Sequence, residues 1–327
     1  MTDVRRPIMI VCAGRSGSTV YYRMLSRHRD TGFLSTYNEA FPSQTWLSVL
    51  SRLYEQPMLG PIRDHRVFPK PFSPYTFWQQ FLPDIARHDR PPGPDEIPDD
   101  AMNAARRTIS RVLAYQGKTR FVFKVTGWAR MALFDKIFPD IRFIWLSRNP
   151  IDVVSSWLRV GRLNVTSAPD SEDWEWGDVP GRLLQTWREM GGGPLLSAAV
   201  KTELDLADIR RNMKLFPGRC LECRYEDLVR RPLECMRETL AFCDLQWDDD
   251  FESIVRTTEL HHNVDKWRKY LSVEDGDLVK EFFSRCDGRR RSGQARVTGP
   301  CAPVPTRPPV PRHVVGLDCR KPTGIEV

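Results

Sequence analysis

The residues Gly14-Arg15-Ser16-Gly17-Ser18-Thr19 have the types and spacing that hold an anion. Glycines let a backbone turn tightly against a ligand, free amides at a helix start point at negative charge, and hydroxyls with a cation complete the cradle. A phosphate or sulfate is the natural occupant. The common phosphate loop reads G-x-x-x-x-G-K-[ST]; this one is shorter and has no Lys before its hydroxyl residues. A nucleoside triphosphate-dependent kinase therefore stays open as a second reading, and a non-catalytic nucleotide-binding protein as a third. A second candidate is Arg148, followed by Asn149-Pro150-Ile151-Asp152. Pro150 suits a first helical position, Asn149 a cap, and Asp152 the positive end of the helix dipole.

The loop needs a strand before it and a helix behind it. Pro7 to Ala13 is an apolar, β-branched run, and Val20, Tyr21, Met24, Leu25 and His28 recur at helical spacing. Arg120 to Val125, Ile141 to Ser147 and, more weakly, Arg219 to Arg224 read as further short strands. Helical patterns cover Asp99 to Gln116, Ile151 to Val160 and Leu195 to Phe216. Strands alternating with helices predict an α/β fold, a P-loop-like parallel β-sheet flanked by helices on both faces. Arg148 then stands at the carboxyl end of a strand, on the edge where the first loop lies.

The chain has 327 residues, 41% hydrophobic, and a formal net charge of +7. That is enough for a substantial core and favours small anionic partners, with no nucleic acid expected. No apolar run approaches the roughly 20 residues of a membrane span, no signal peptide is expected, and the predicted location is cytoplasmic. Cys220 and Cys223 form a lone C-x-x-C, read as buried or half-buried thiols rather than a metal or redox site. Residues 1–288 are expected to form the domain. Within it, residues 41–118 are read as an insertion, aromatic from Phe41 to Phe81, that is either extra core or an acceptor-site wall. Residues 289–327, rich in Pro and Arg, are expected to be a disordered tail.

Together these segments resemble the family of sulfotransferases that use 3′-phosphoadenosine 5′-phosphosulfate (PAPS). The first loop resembles the 5′-phosphosulfate loop in its R-S-G-S-[ST] form. Arg148 to Ser156 resembles the 3′-phosphate motif R-[ND]-P-x-[DA]-V-x-x-S, whose Arg and Ser hold the phosphate. Tyr225-Glu226-Asp227-Leu228 with Pro232 resembles Y-E-D-L-x-x-x-P, whose Tyr lies near the adenine, and Lys266-Trp267-Arg268 resembles a late basic element that closes over the nucleotide. The four matches run in family order from residue 8 to about 285.

The resemblance implies that Ser18, Thr19 and the loop amides hold the 5′-phosphate and that Arg15 meets the bridging oxygen of the leaving group. Lys124 becomes a second cation, a hydroxyl acceptor is the other substrate, and no metal is required. One departure matters: phenol and steroid members carry K-x-H where this chain reads Lys124-Val125-Thr126, and none of His28, His65, His88, His261 or His262 takes that place. Carbohydrate-type members keep a Glu about twenty residues beyond the loop, and Glu39 stands there as the candidate base.

Overall fold

The computed structural model describes residues 4–160 and 165–291. In chain order the elements begin β1 (Ile8–Cys12), α1 (Ser18–Leu25), β2 (Thr31–Gly32), α2 (Thr36–Ala40), α3 (Tyr75–Gln79), α4 (Asp99–Gln116), β3 (Arg120–Thr126) and α5 (Met131–Ile137). They continue with β4 (Arg142–Ser147), α6 (Pro150–Val160), α7 (Gly181–Glu189), α8 (Pro194–Met213), β5 (Cys220–Arg224), α9 (Tyr225–Arg230), α10 (Pro232–Phe242), α11 (Asp249–Thr257) and α12 (Val273–Arg291). Short 3-10 turns cover Thr45–Glu55, Pro57–Ile62, Pro94–Glu96 and Lys266–Lys269.

The strands form one sheet in the order β2-β3-β1-β4-β5, every pairing parallel. Alternation along the strands explains why both faces are covered. Ile8, Ile10 and Cys12 of β1, with Val122, Ile144 and Leu146, pack on Tyr21 and Leu25 of α1, Met236 and Leu240 of α10, and Phe251 of α11. Met9 and Val11, with Phe121, Phe123, Phe143 and Trp145, face the other way onto Ile109 and Leu113 of α4, Phe134 of α5, Val154 of α6, Ile209 of α8 and Phe282 of α12. The chain leaves β1 toward β3 on one side and β4 on the other, so the sheet reverses its order at β1 and opens a crevice at the strands' carboxyl ends.

The helix over Asp99–Gln116 has local causes. Asp99 and Asp100 sit at its positive end, and Gly117, at φ 69°, ends it in a left-handed conformation while Lys118 N donates to the Leu113 carbonyl at 2.9 Å. The two-residue strand β2 is too short to carry an apolar period and was not legible in the sequence. The aromatic insertion divides: Phe68, Phe77 and Trp78 are buried in the core, whereas Phe41, Trp46 and Phe72 are exposed. Residues Thr45–Glu55 bury Ser48, Ser51 and Tyr54 and turn Trp46, Val49 and Leu53 outward. No helix among the described residues is long and apolar enough to cross a membrane. The last helix runs to Arg291, slightly past the expected boundary at 289; the rest of the expected tail lies outside the described residues.

Candidate active site

The loop after β1 is held from below and crowded from two sides. Ser16 turns inward, its hydroxyl donating to the Ala13 carbonyl at 2.8 Å. Arg15 and Gly17 both adopt positive φ, 69° and 78°. A Cβ on Gly17 would meet the Tyr225 ring at 2.4 Å, and one on Gly14 would meet the Trp157 ring at 2.3 Å. Only glycine fits at either place. Gly17 precedes α1 without a side-chain cap, so the first amides of the helix are left for a ligand.

The turn after β4 is built by its own residues. Asn149 Oδ1 accepts from the Ile151 amide at 3.1 Å, capping α6, while its own amide donates to Glu226 at 2.8 Å. Arg148 is thereby fixed at the sheet edge. Its Nη1 donates to the Arg15 carbonyl at 2.9 Å and its Nη2 to the Asn263 carbonyl at 2.7 Å, and its guanidinium lies 4.8 Å from the Tyr225 ring centre. Arg148 Nε is buried with no protein partner among the described residues. Ser156, two turns into α6, accepts from Arg15 Nε at 3.1 Å. Desolvation depresses the Arg15 pKa, and the charges of Arg159 and Arg148 depress it further.

The late segment joins the same site through backbone. Tyr225 donates its hydroxyl to the His261 carbonyl at 2.8 Å. Asp152 stands in the first turn of α6, where the sequence reading put it as a complement to the helix dipole, and also accepts from the amides of Trp267 at 2.9 Å and Asp265 at 3.0 Å, 3.8 Å from Arg148 Nη2. Burial raises the Asp152 pKa, opposed by the Trp267 amide and the Arg148 charge. Lys266 Nζ donates to Asn263 Oδ1 at 2.8 Å. Trp267 is buried against Gly276, where a Cβ would stand 2.1 Å from its ring, and the Arg268 guanidinium lies 4.6 Å from the ring centre.

These residues enclose a cavity of about 640 Å³, within the range of small-molecule sites. Of the residues singled out in the sequence, Gly14, Arg15, Gly17, Ser18, Thr19, Lys124, Arg148, Ser156, Tyr225, Lys266 and Trp267 line it; Ser16, Arg268 and Glu39 do not. Five cations, Arg15, Lys124, Arg148, Arg159 and Lys266, face one carboxylate, Asp152. Lys124 Nζ donates to Thr19 Oγ1 at 3.2 Å, and desolvation lowers its pKa. A second cavity of about 450 Å³ shares Gly17, Thr19, Tyr225 and Asn263 with the first and extends to Val20, Arg23 and Thr258. Glu39 Oε1 accepts from the Thr76 hydroxyl at 2.6 Å and Oε2 from the Thr76 amide at 3.2 Å. The neighbouring Tyr75 hydroxyl donates to the carbonyl of Thr126, a cavity residue, at 3.4 Å. Ser155, Trp157, Arg159, Asn263 and Tyr270 also line the cavity without having been singled out as ligands. Ser155 and Ser156 stand four and three residues before Arg159 on α6, a periodic signal present in the sequence; Tyr270 falls within the late basic segment Lys266 to Leu271, and Asn263 had no signal.

A doubly covered parallel sheet with a phosphate-type loop at its reversal point defines an α/β fold of the kind in which ligands gather at the strands' carboxyl ends. The sequence profile of the sulfotransferase family matches residues 7–249, and the chain belongs to that family. An uncharacterized protein of Aquifex aeolicus (strain VF5) is 34% identical over 149 residues, 41% of this chain and 17% of that protein. The chain thus matches only about a sixth of that relative's length. Sulfotransferase STF9 from Mycobacterium avium superposes with a TM-score of 0.52 at 18% identity, over 86% of this chain and 77% of that one, a likeness of fold. Sulfotransferase STF1 from Mycobacterium tuberculosis H37Rv gives 0.48 at 16% identity over the same shares.

Proposed function

We propose that the protein transfers a sulfuryl group from PAPS to a hydroxyl of an acceptor. The observation that carries this reading is the convergence of the loop 14–19 with Arg148 and Ser156 on one cavity whose cations outnumber its carboxylates five to one. A polyanionic nucleotide fits such a donor set, and the unpartnered Arg148 Nε and Trp267 Nε1 supply further buried donors. When bound, the donor supplies the sulfuryl group and leaves as adenosine 3′,5′-bisphosphate.

The residues divide the work by position. Ser18, Thr19 and the open amides of α1 hold the 5′-phosphate, and Arg148 with Ser156 takes the 3′-phosphate. Tyr225, the wall shared by the two cavities, lies beside the base. Sulfuryl transfer asks the protein for alignment and for charge stabilisation on the leaving oxygen. Lys124, adjoining Thr19, stands at the loop end of the cavity and is the cation for that oxygen. Arg15 begins on Ser156 and is assigned first to the 3′ side; meeting the leaving oxygen would require it to let go of that serine. Trp267 and Lys266 close the wall against water.

Glu39 is the proposed base that receives the acceptor's hydroxyl proton as the oxygen bonds to sulfur. It is supported by its link through Thr76 and Tyr75 to Thr126, at the position where related enzymes keep a His. The exposed Phe41 and Phe72, which flank this segment, suit an acceptor with an apolar or stacking face.

A thermal-shift screen with adenosine 3′,5′-bisphosphate, adenosine 5′-phosphate and magnesium adenosine triphosphate tests the donor site. The bisphosphate should stabilise most; a response to the triphosphate alone would turn the reading to a kinase. Sulfate transfer from radiolabelled PAPS to a panel of alcohols, phenols and sugars then tests the reaction.

A further inference from the structure

The face of α6 that carries Ser156 continues one turn further. Ser155 and Ser156 precede Arg159 by four and three residues, the spacing that stacks side chains on one helix face, and all three line the larger cavity. Arg159 Nη1 donates to the Tyr270 hydroxyl at 3.2 Å, and its guanidinium lies 4.9 Å from that ring's centre. Tyr270 also lines the cavity and closes the 3-10 turn that carries Lys266 and Trp267.

Two uses compete for such an arginine. A cation in the last turn of a helix complements the helix dipole and can stack on an aromatic ring simply as surface structure. The other use is anion binding, and the surroundings favour it. Arg159 is the foremost charged group depressing the Arg15 pKa, ahead of Arg148, and all three guanidiniums line the same cavity. The cavity's one carboxylate, Asp152, lies beside Arg148 and is committed to two backbone amides. Neither Arg15 nor Arg159 has a carboxylate partner among the described residues. Three guanidiniums around two serine hydroxyls are unfavourable until a dianion enters, and a phosphate monoester matches their planar donor geometry.

We propose that Arg159 is a third guanidinium for the nucleotide's 3′-phosphate, held ready by Tyr270, and that this pair adds to the preference for 3′-phosphorylated nucleotides. The proposal rests on the donor-site reading above and adds residues outside the motif Arg148 to Ser156. Tyr270 uses one of the five guanidinium N–H groups and leaves the others for phosphate oxygens. Because Tyr270 follows directly on the Lys266–Lys269 turn, the same contact ties the late segment to α6.

Isothermal calorimetry with adenosine 3′,5′-bisphosphate and adenosine 5′-phosphate tests it on the wild type, Arg159→Met, Arg159→Lys and Tyr270→Phe. Arg159→Met keeps the apolar stem and removes the charge, so the bisphosphate should bind about 10-fold more weakly while the 5′-phosphate changes less than about twofold. Arg159→Lys should recover part of the loss, and Tyr270→Phe should cost the bisphosphate about two- to fivefold. Both residues are exposed, and unchanged melting temperatures establish that the variants fold. Equal weakening of both ligands by Arg159→Met, or no weakening of either, overturns the proposal and leaves Arg159 a surface residue. A wild type that binds both ligands equally overturns the donor-site reading itself.

Discussion

Arg15 and Ser156 stand 141 residues apart in the chain and meet side chain to side chain, Nε to Oγ, at 3.1 Å. The contact joins the loop after β1 to helix α6. It predicts that Arg15→Ala lowers affinity for adenosine 3′,5′-bisphosphate about 10-fold and for adenosine 5′-phosphate far less, as loss of a charge-assisted contact implies. Parallel titrations check this. If turnover instead falls by orders of magnitude with affinity intact, Arg15 leaves Ser156 during the reaction and serves the leaving oxygen.

Lys124 predicts a pH dependence. Desolvation first, then the charge of Arg23, lowers its pKa in the ligand-free protein, with Cys12 opposing. The folded state therefore binds this proton less tightly than the unfolded chain, so stability rises with pH through the window from the lowered value to the ordinary lysine value. A bound anion reverses the preference and takes up a proton. Affinity for the bisphosphate should fall as pH climbs through the lowered pKa, and Lys124→Arg should flatten the curve; calorimetry in buffers of different ionisation enthalpy reads the proton directly. Lys124→Met should lower turnover by about 10²–10³-fold.

Local chemistry was legible and tertiary meetings were not. The cap of Asn149 on Ile151, Pro150 at the helix start and the glycines of the loop depend on neighbours a few residues away, and the sequence shows them directly. Three strands were visible because each is an apolar run, and β5, with Glu222 and Arg224 in it, only weakly; β2 is two residues long and has no period. The place of Asp152 at the helix start was readable, but its second role was not, because its amide partners, Asp265 and Trp267, lie more than a hundred residues away. The direction of Arg15 was hidden for the same reason. The inverted face of Thr45–Glu55, serines inward and Trp46 outward, follows no hydrophobic rule, and composition alone could not divide that insertion between core and surface.

Glu39→Gln keeps the hydrogen-bonding shape toward Thr76 and removes the basicity. If Glu39 receives the acceptor's proton, single-turnover transfer should fall by about 10²–10⁴-fold while bisphosphate affinity stays within about threefold. Retention of more than a tenth of the activity removes Glu39 from the chemistry and leaves it as the polar tether of α3.

Asp152→Asn tests the tie between α6 and the late segment. An amide side chain offers one carbonyl where two backbone amides now donate, so one buried N–H loses its partner at a cost of about 1–3 kcal/mol. Urea denaturation should register that loss, and limited trypsin digestion should cut sooner at Lys266, Arg268 or Lys269. Unchanged digestion in a destabilised variant would mean that the segment is held by Trp267 packing instead.

The segment 261–267 is gripped at its backbone: the carbonyls of His261 and Asn263 by Tyr225 and Arg148, the amides of Asp265 and Trp267 by Asp152. Main-chain grips are blind to the side chains that ride on them. Substitutions at His262 or Val264 can therefore accumulate without moving the wall of the cavity, while Lys266 and Tyr270, which line it, are where small changes would alter what the cavity admits. Inheritance can vary the lining of this site and keep its shape, provided the four gripping atoms hold.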